Sequence, residues 1–217
     1  MARPRTPAGR ARRTNELLTQ EYPGTAVDLC ELDHRNPFEL LTATIMSAQT
    51  TDVRVNMVTP VLFAKYPDAE SLAAADPADV EEIIRSTGFY KNKTKSIIGM
   101  ANALVDRFGG EVPTSMKDFV TVPGVGRKTA NVVRSVAQGL PGLPVDTHVL
   151  RLSHRLALTD ETDPVKVEHA LNPMVPASER GTFSLRVILH GRRVCFARKP
   201  ACDSCVLADF CPSAGQV

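Results

Sequence analysis

Apolar residues recur along the chain at the spacing of a helix that buries one face. The longest run places Ile97, Ala101, Leu104 and Phe108 on one side. Shorter runs with the same period begin after Asp76-Pro77 and at Val133. No segment alternates apolar and polar residues for long enough to predict a strand. The pattern therefore predicts an all-α chain of nine or ten short helices.

Helix ends are marked by capping residues. Three Asn-Pro or Asp-Pro pairs place a capping side chain before a proline, which has no amide hydrogen to leave unpaired. Glycines stand where helices should stop, as left-handed C-terminal caps do. These signals predict helix starts at Asn36-Pro37, Asp76-Pro77 and Asp163-Pro164, and helix ends at Gly88, Gly109 and Gly139.

The composition is that of a soluble globular chain, with 43% hydrophobic and 23% charged residues. Its 217 residues allow one large domain or two small interlocked ones. No segment reaches the roughly 18 consecutive apolar residues of a membrane span. Five arginines lie within residues 1–13 and no apolar stretch follows them, so we expect a basic arm rather than a secretory signal.

Charge is sorted along the chain although the net charge is only +2. Residues 66–84 hold six acids and no base, whereas residues 180–202 hold six bases and no acid. A polyanion selects such a basic surface, because each neutralised phosphate releases counterions. Charge runs also occur on ordinary solvated helices, so this pattern alone leaves nucleic-acid binding and plain surface equally open.

A glycine-rich turn, with Pro123, Gly124 and Gly126, precedes an amphipathic run. The backbone amides of such a turn and of the helix start after it can approach a phosphate without a side chain in the way. A nucleotide-binding P-loop would need glycine where Val122 and Arg127 stand, so that alternative is disfavoured. A plain helix-helix turn is the other alternative.

Four of the five cysteines lie close together near the C-terminus. Two nested disulfides would suit a small secreted scaffold, but this chain can build a core without them. Four thiolates in a loop-rich segment can instead hold a metal centre, and both tetrahedral zinc and an iron-sulfur cluster accept four cysteines. The residues alone leave both open for Cys195, Cys202, Cys205 and Cys211, while Cys30 stands apart as a predicted buried thiol.

Four separated motifs together resemble one family. The glycine-rich turn resembles the helix-hairpin-helix of DNA glycosylases, and residues 145–149 (Val-Asp-Thr-His-Val) resemble their aspartate segment. With residues 46–52 (Met-Ser-Ala-Gln-Thr-Thr-Asp) and the C-x6-C-x2-C-x5-C run, the chain from about Arg13 to Pro212 resembles the endonuclease III family. The resemblance implies a two-lobed, all-α helix-hairpin-helix DNA glycosylase fold. Its predicted parts are a six-helix lobe over 30–140 and an iron-sulfur cluster lobe formed by 1–29 and 141–217.

The resemblance implies a base excision repair enzyme that removes oxidised or saturated pyrimidines and then nicks the strand at the abasic site. Lys128 matches the nucleophile that forms a Schiff base with the sugar. Asp146 matches the essential carboxylate, is expected to face Lys128 across a cleft, and also suits the N-cap of the next helix. The implied cofactor is one 4Fe-4S cluster on the four clustered cysteines. The implied partner is double-stranded DNA with damaged pyrimidines or abasic sites, bound by a cytoplasmic, nucleoid-associated bacterial monomer without membrane contact.

Further residues match DNA contacts of the family. Gln49 matches the family glutamine that fills the space left by the flipped base. A short polar side chain suits this role, because it can hydrogen-bond the orphaned partner base. Phe89 falls at the place of an apolar wedge, with a core phenylalanine as the alternative. His148 has a scaffold role as its alternative. The full predicted set is Gln49, Phe89, Pro123, Gly124, Val125, Gly126, Arg127, His148 and Arg193.

Two other functions are compatible with parts of the chain. A monofunctional mismatch or adenine glycosylase would carry a glutamate near Thr44 and would lack the lysine nucleophile, and this chain departs from it at both places. A non-catalytic damage-binding module would keep the hairpin and the metal without the chemistry. The presence of both Lys128 and Asp146 argues against such a module.

Overall fold

A computed structural model describes residues 3–216, so residues 1, 2 and 217 of the predicted cluster lobe lie outside the described part. The described residues form helices and no strand, which confirms the all-α prediction. The α-helices are α1 (Pro7–Glu21), α2 (Ala26–Leu29), α3 (Pro37–Met46), α4 (Asp52–Lys65), α5 (Ala69–Ala73), α6 (Pro77–Ile84), α7 (Tyr90–Phe108), α8 (Met116–Phe119), α9 (Arg127–Val136), α10 (Thr147–Arg155), α11 (Pro164–Leu171) and α12 (Arg180–Arg193). Four 3-10 helices cover Arg85–Thr87, Asn172–Met174, Ala177–Glu179 and Cys202–Ser204.

The helix count in the described residues, twelve α-helices, exceeds the predicted nine or ten. Three of them, α2, α5 and α8, have only four or five residues. A helix of little more than one turn cannot display the 3.6-residue period, so the apolar pattern contains no signal for it.

The predicted helix starts are confirmed by side-chain caps. Asn36 accepts a hydrogen bond from the amide of Glu39 at 2.9 Å, and Asp76 accepts one from Ala78 at 2.9 Å. Asp163 caps α11 in the same way, and a proline follows each cap. Each such cap stabilises its helix by about 1 kcal/mol. At the other end of α7, Gly109 has φ 62°, the left-handed cap that the glycine predicts.

Packing divides the chain into two units, of which the first is Cys30–Gln138 with α3 to α9. Its longest helix is α7, which packs against α3, α5 and α6. Most of the apolar face predicted for this helix is buried, since Ile97, Ala101 and Leu104 have no exposed surface, whereas Phe108 at the helix end is partly exposed. This face forms the centre of the first unit.

The second unit combines the described residues up to Leu29 with those from Gly139 onwards. Its centre is α12, which packs against α1, α2 and α10. The buried guanidinium of Arg186 on α12 donates to the carbonyls of Tyr22 and Gly24, both at 3.0 Å. These hydrogen bonds attach the N-terminal segment to a helix more than 150 residues later in the chain.

The basic N-terminal segment is helical from Pro7 onwards rather than an extended arm. Arg10 donates through Nε to the carbonyl of Leu156 at 2.7 Å and through Nη2 to that of Ala157 at 2.5 Å, at the C-terminal end of α10. These N–H groups donate to carbonyls that no helical amide can reach, and the positive charge is favourable at the C-terminal end of a helix. No described helix combines the length and apolar character needed to cross a membrane.

Candidate functional site

The glycine-rich turn connects α8 to α9 and leaves backbone amides accessible. Gly124 has φ 75°, and a Cβ there would lie 3.0 Å from the Cβ of Ser96, so backbone conformation and space both require glycine. Gly126 is the N-cap of α9, without a side-chain cap, and a Cβ there would meet no protein atom within 4 Å. The first amides of α9 can therefore receive an anion without steric obstruction.

Lys128 lies on the first turn of α9 and is exposed to solvent. Its charge acts on Asp52, a carboxylate that the sequence reasoning did not single out: burial raises the pKa of Asp52, and the positive charge of Lys128 partly offsets this rise. Asp52 is the first residue of α4, whose N-cap Thr51 accepts from the amide of Arg54. The first unit thus contains a partly buried carboxylate whose charge interacts with that of the candidate nucleophile.

Gln49 and Phe89 line the same open cleft in the first unit, together with Ala48, Asn92 and Gly124. Both have left-handed backbones, with φ 57° at Gln49 and φ 48° at Phe89. This conformation costs a non-glycine residue about 1–2 kcal/mol. Phe89 is 65% exposed, which excludes the alternative that it is a core phenylalanine.

Lys93 also lines this cleft, but its side chain is only 4% exposed. Its amine donates to the hydroxyl of Thr50 at 2.6 Å and to the carbonyl of Thr87 at 2.8 Å. Burial lowers the pKa of this amine. Its neighbours Lys91 and Lys95 on the same helix are exposed, so Lys93 is the one lysine of this basic run that points inwards.

Asp146 is the N-cap of α10 in the second unit, as its sequence context predicts. Its Oδ1 accepts from the amide of His148 at 2.8 Å and from that of Val149 at 2.9 Å. In the described part of the chain Oδ2 has no hydrogen-bond partner, so the carboxylate is held by one oxygen and offers the other. Lys128 and Asp146 belong to different units, and their approach stays a prediction.

His148 and Arg193 are placed differently within the second unit. The ring of His148 packs on α12, since a Cβ at Gly191 would lie 2.7 Å from its Nδ1, and Arg151 lies 3.1 Å from the same nitrogen. This contact supports the scaffold role that the sequence left as an alternative. Arg193 is exposed in the last turn of α12, with its guanidinium 5.7 Å from the ring of Tyr22.

The four clustered cysteines line one cavity of the second unit, with about 320 Å³ of empty space that is partly open to solvent. All four are free thiols, as is Cys30. Burial raises the pKa of Cys205 and Cys211, and the neighbouring thiols add to this effect. Cys30 is half-buried rather than fully buried and belongs to the first unit.

The donor set of this cavity suits a metal centre held by cysteines. Among the described residues, no three His, Cys, Asp or Glu side chains are gathered closely enough to hold one metal ion. Zinc would need its sulfur ligands to converge at about 2.3 Å from one point. Four thiols that line one cavity match the four-cysteine ligation of an iron-sulfur cluster, so the donor set fits such a cluster.

Side chains around the cavity support the sulfurs. Arg155 lies with Nη1 3.2 Å from the Sγ of Cys195, and His190 lies with Nε2 3.3 Å from the Sγ of Cys205. Burial lowers the pKa of His190 to about 4, so its ring is neutral at neutral pH. Its Nδ1 is 3.2 Å from the hydroxyl of Tyr22. Such outer contacts orient ligand atoms around a metal centre.

Comparison with protein families finds matches for two segments of the chain. Residues 42–177 match the HhH-GPD superfamily base excision DNA repair protein model, and residues 195–211 match the iron-sulfur binding domain of endonuclease III. Endonuclease III of Synechocystis is 53% identical over 199 residues, which cover 91% of this chain and 90% of that protein. The chain belongs to the endonuclease III family. Endonuclease III of Escherichia coli K12 is 40% identical, with 90% and 93% covered.

Solved structures of endonuclease III on DNA are also similar to this family member. A non-covalent endonuclease III–DNA complex is 41% identical, with a TM-score of 0.87 over 95% of this chain and 96% of that one. A trapped endonuclease III–DNA covalent intermediate matches with the same values. A thermostable thymine-DNA glycosylase, at 21% identity and a TM-score of 0.82, shows the shared fold alone. The cofactor of this family member is a 4Fe-4S cluster.

Proposed function

We propose that this endonuclease III family member removes oxidised or saturated pyrimidines from duplex DNA and then cleaves the strand at the abasic site. The observation that carries the proposal is the exposed lysine beside an uncapped helix start in a hairpin turn, within a chain of this family. A trapped covalent endonuclease III–DNA intermediate supports it, because covalent capture is what an amine nucleophile would produce. The chain is thus a DNA glycosylase and abasic-site lyase.

Lys128 is the proposed nucleophile. The lone pair of its neutral amine attacks C1′ of the sugar while the glycosidic bond breaks, and the base departs with the bond electrons and takes up a proton. Loss of a proton from nitrogen and opening of the sugar ring give the imine. The imine makes the C2′ hydrogen acidic, so its removal forms the C2′–C3′ double bond and expels the 3′ phosphate.

Asp146 is the proposed carboxylate of the base-excision step. Two amides of α10 hold its Oδ1, which fixes the orientation of the group before substrate binds. We propose that Oδ2 stabilises the positive charge that develops on the sugar as the base leaves. Asp52, whose charge interacts with that of Lys128, is a second acid for proton movement near the amine.

DNA contacts are proposed at two places in the first unit. The amides of the turn formed by Pro123, Gly124, Val125 and Gly126, with Arg127 after it, would receive a phosphate. Gln49 and Phe89, both exposed at one cleft, would enter the duplex, Gln49 opposite the orphaned base and Phe89 between base pairs.

In the second unit, Arg193 would meet the phosphate backbone, while His148, which packs on α12, would keep the scaffold role. The proposed cluster ligands are Cys195, Cys202, Cys205 and Cys211, which line one cavity. When bound, the cluster would crosslink the C-terminal loop and supply thiolate-to-iron charge-transfer colour. Arg151 donates from Nη2 to the carbonyl of Cys195 at 2.9 Å and thereby orients the start of this loop. We further propose a monomer in the bacterial cytoplasm at the nucleoid, a reducing compartment in which cysteines do not form disulfides.

The proposed function is tested by a panel of duplexes that each hold one defined lesion. We expect cleavage of duplexes with an oxidised or saturated pyrimidine, with a 5′ fragment that ends in an unsaturated aldehyde, and no cleavage of the undamaged duplex. Base release without strand cleavage would support a monofunctional glycosylase instead. Binding without either product would support a non-catalytic damage-binding module.

Charge reversal at Arg193 tests the contact with the DNA backbone. We expect Arg193→Glu to weaken binding to damaged and undamaged duplex by similar factors and to reduce the slope of log affinity against log salt by about 1–2, because phosphate contacts release counterions. Titrations at several salt concentrations measure this slope. Lys166→Glu makes the same change in net charge at another exposed residue of the second unit and should leave the slope unchanged. Equal effects of both variants would contradict a specific phosphate contact.

A further inference from the structure

The two left-handed turns that present Gln49 and Phe89 are joined by one buried amine. Lys93 donates to Thr50, the residue after Gln49, and to the carbonyl of Thr87, two residues before Phe89. Thr50 also donates its hydroxyl to the same Thr87 carbonyl. We call these three hydrogen bonds the Lys93 bridge. They connect segments 37 residues apart in the chain.

The burial of Lys93 has an energetic cost that its packing alone does not explain. A lysine removed from water without a counter-charge is destabilising, and lysine is rarely fully buried unless it is paired. In the described part of the chain no carboxylate pairs with this amine, and burial lowers its pKa. An apolar side chain of similar length would fill the same space without this cost. We therefore attribute the presence of a lysine at this position to the hydrogen bonds that its amine donates.

Both turns need external support for their conformation. Left-handed backbone at two non-glycine residues costs about 1–2 kcal/mol each and persists only where surrounding contacts hold it. Phe89 is the N-cap of α7 without a side-chain cap bond. Thr87 is anchored by its own hydroxyl, which donates to the carbonyl of Ile84 at 2.8 Å. Lys93 lies near the start of α7, the helix that Phe89 precedes. Its hydrogen bonds can therefore couple the position of the Phe89 segment to that of the Gln49 segment.

We propose that Lys93 is a positioning residue that couples Gln49 and Phe89, so that the two side chains enter a duplex as one unit. This inference rests on the proposed DNA contacts of those two residues. It adds a specificity role for Lys93 that does not involve contact with the substrate. Without the bridge, each turn would find its inserted conformation independently, and discrimination of damaged from undamaged duplex would fall.

The test uses a duplex with a tetrahydrofuran abasic analogue opposite 2-aminopurine. The analogue offers neither a base nor an aldehyde, so binding is measured without turnover, and 2-aminopurine fluorescence reports unstacking of the orphaned base. In the background with Lys93 intact, we expect Gln49→Ala and Phe89→Ala each to reduce fluorescence and affinity. We expect the double variant to lose about fivefold less affinity than the product of the two single losses, as coupled neighbours do.

The same cycle in the Lys93→Met background should be multiplicative, with lower fluorescence at saturation. Lys95→Met removes a charge from an exposed position of α7 and should preserve the coupling, whatever its effect on overall affinity. If Lys93→Met does not fold, Thr50→Val removes two of the three hydrogen bonds of the bridge, and Thr50→Ser, which keeps the hydroxyl, should preserve the coupling.

The outcomes separate this inference from the proposed function. If Gln49→Ala and Phe89→Ala leave fluorescence unchanged, the proposed DNA contacts are wrong, and the positioning role is wrong with them. If those variants act as expected but coupling survives in Lys93→Met or Thr50→Val, Lys93 is only a structural residue. A fall in thermal stability with intact coupling leads to the same conclusion.

Discussion

Lys128→Ala is expected to abolish the covalent protein–DNA adduct that borohydride traps with an abasic or oxidised-pyrimidine duplex. The imine requires the lysine amine, and alanine has no group that can form it. Strand cleavage should fall by at least about a hundredfold, the lower range for loss of a group that acts on the reacting atoms. Gel analysis of the reduced adduct and peptide mapping of its attachment site measure this directly.

Duplex affinity should survive this change, because backbone amides at the start of α9 rather than the lysine side chain hold the proposed phosphate. Lys117→Ala removes an exposed lysine from α8 of the same hairpin and should still be trapped. Asp146→Asn keeps the amine, so it should be trapped on abasic DNA while base excision slows by about 10²-fold or more. If Lys128→Ala cleaves abasic DNA as fast as the unaltered protein, the nucleophile is another residue.

Cys202→Ser should yield a protein with little bound iron and a destabilised second unit. The unaltered protein is expected to be yellow-brown, with iron and acid-labile sulfide, because thiolate-to-iron charge transfer absorbs visible light. Loss of one of four ligands should reduce bound iron by more than about tenfold. Loss of an outer contact alone already lowers the metal affinity of a typical site by about ten- to a hundredfold. Visible absorbance, iron analysis and thermal unfolding measure the effect.

Cys30→Ser provides the matched control, since it changes the one cysteine of the first unit in the same way. Its iron content and colour should equal those of the unaltered protein. A colourless unaltered protein with one zinc would contradict the cluster. Equal iron content in Cys202→Ser would show that Cys202 is not a ligand.

Local features were predictable because their interactions span only a few residues. The caps at Asn36, Asp76 and Asp163 bond amides two or three positions away, so neighbouring residues suffice to specify them. The turn at Gly124 and the apolar face of α7 follow from backbone conformation and helical period in the same way. The family could be recognised from its motifs, because their order along the chain can be read without knowing how the helices pack.

The burial of individual polar and aromatic side chains was not predicted. Lys91, Lys93 and Lys95 form one basic run, yet only Lys93 is buried, because it lies one helical turn before Ile97 and faces the 3-10 helix that precedes α7. Asp52 gained its raised pKa from burial, and Phe89 proved exposed where the sequence left a core position open. Burial is a property of the assembled unit, to which residues distant in sequence contribute.

The sequence by itself determined the helical class, the helix starts, the family and the candidate residues Lys128, Asp146 and the four clustered cysteines. These depend on local propensity and on motif spacing, which the chain contains in full. Only the tertiary structure decided that the four thiols line one cavity, that Gln49 and Phe89 share one cleft, and that Lys93 joins their turns. Each of these is a distance between segments far apart in the chain, and such distances arise only when the helices pack.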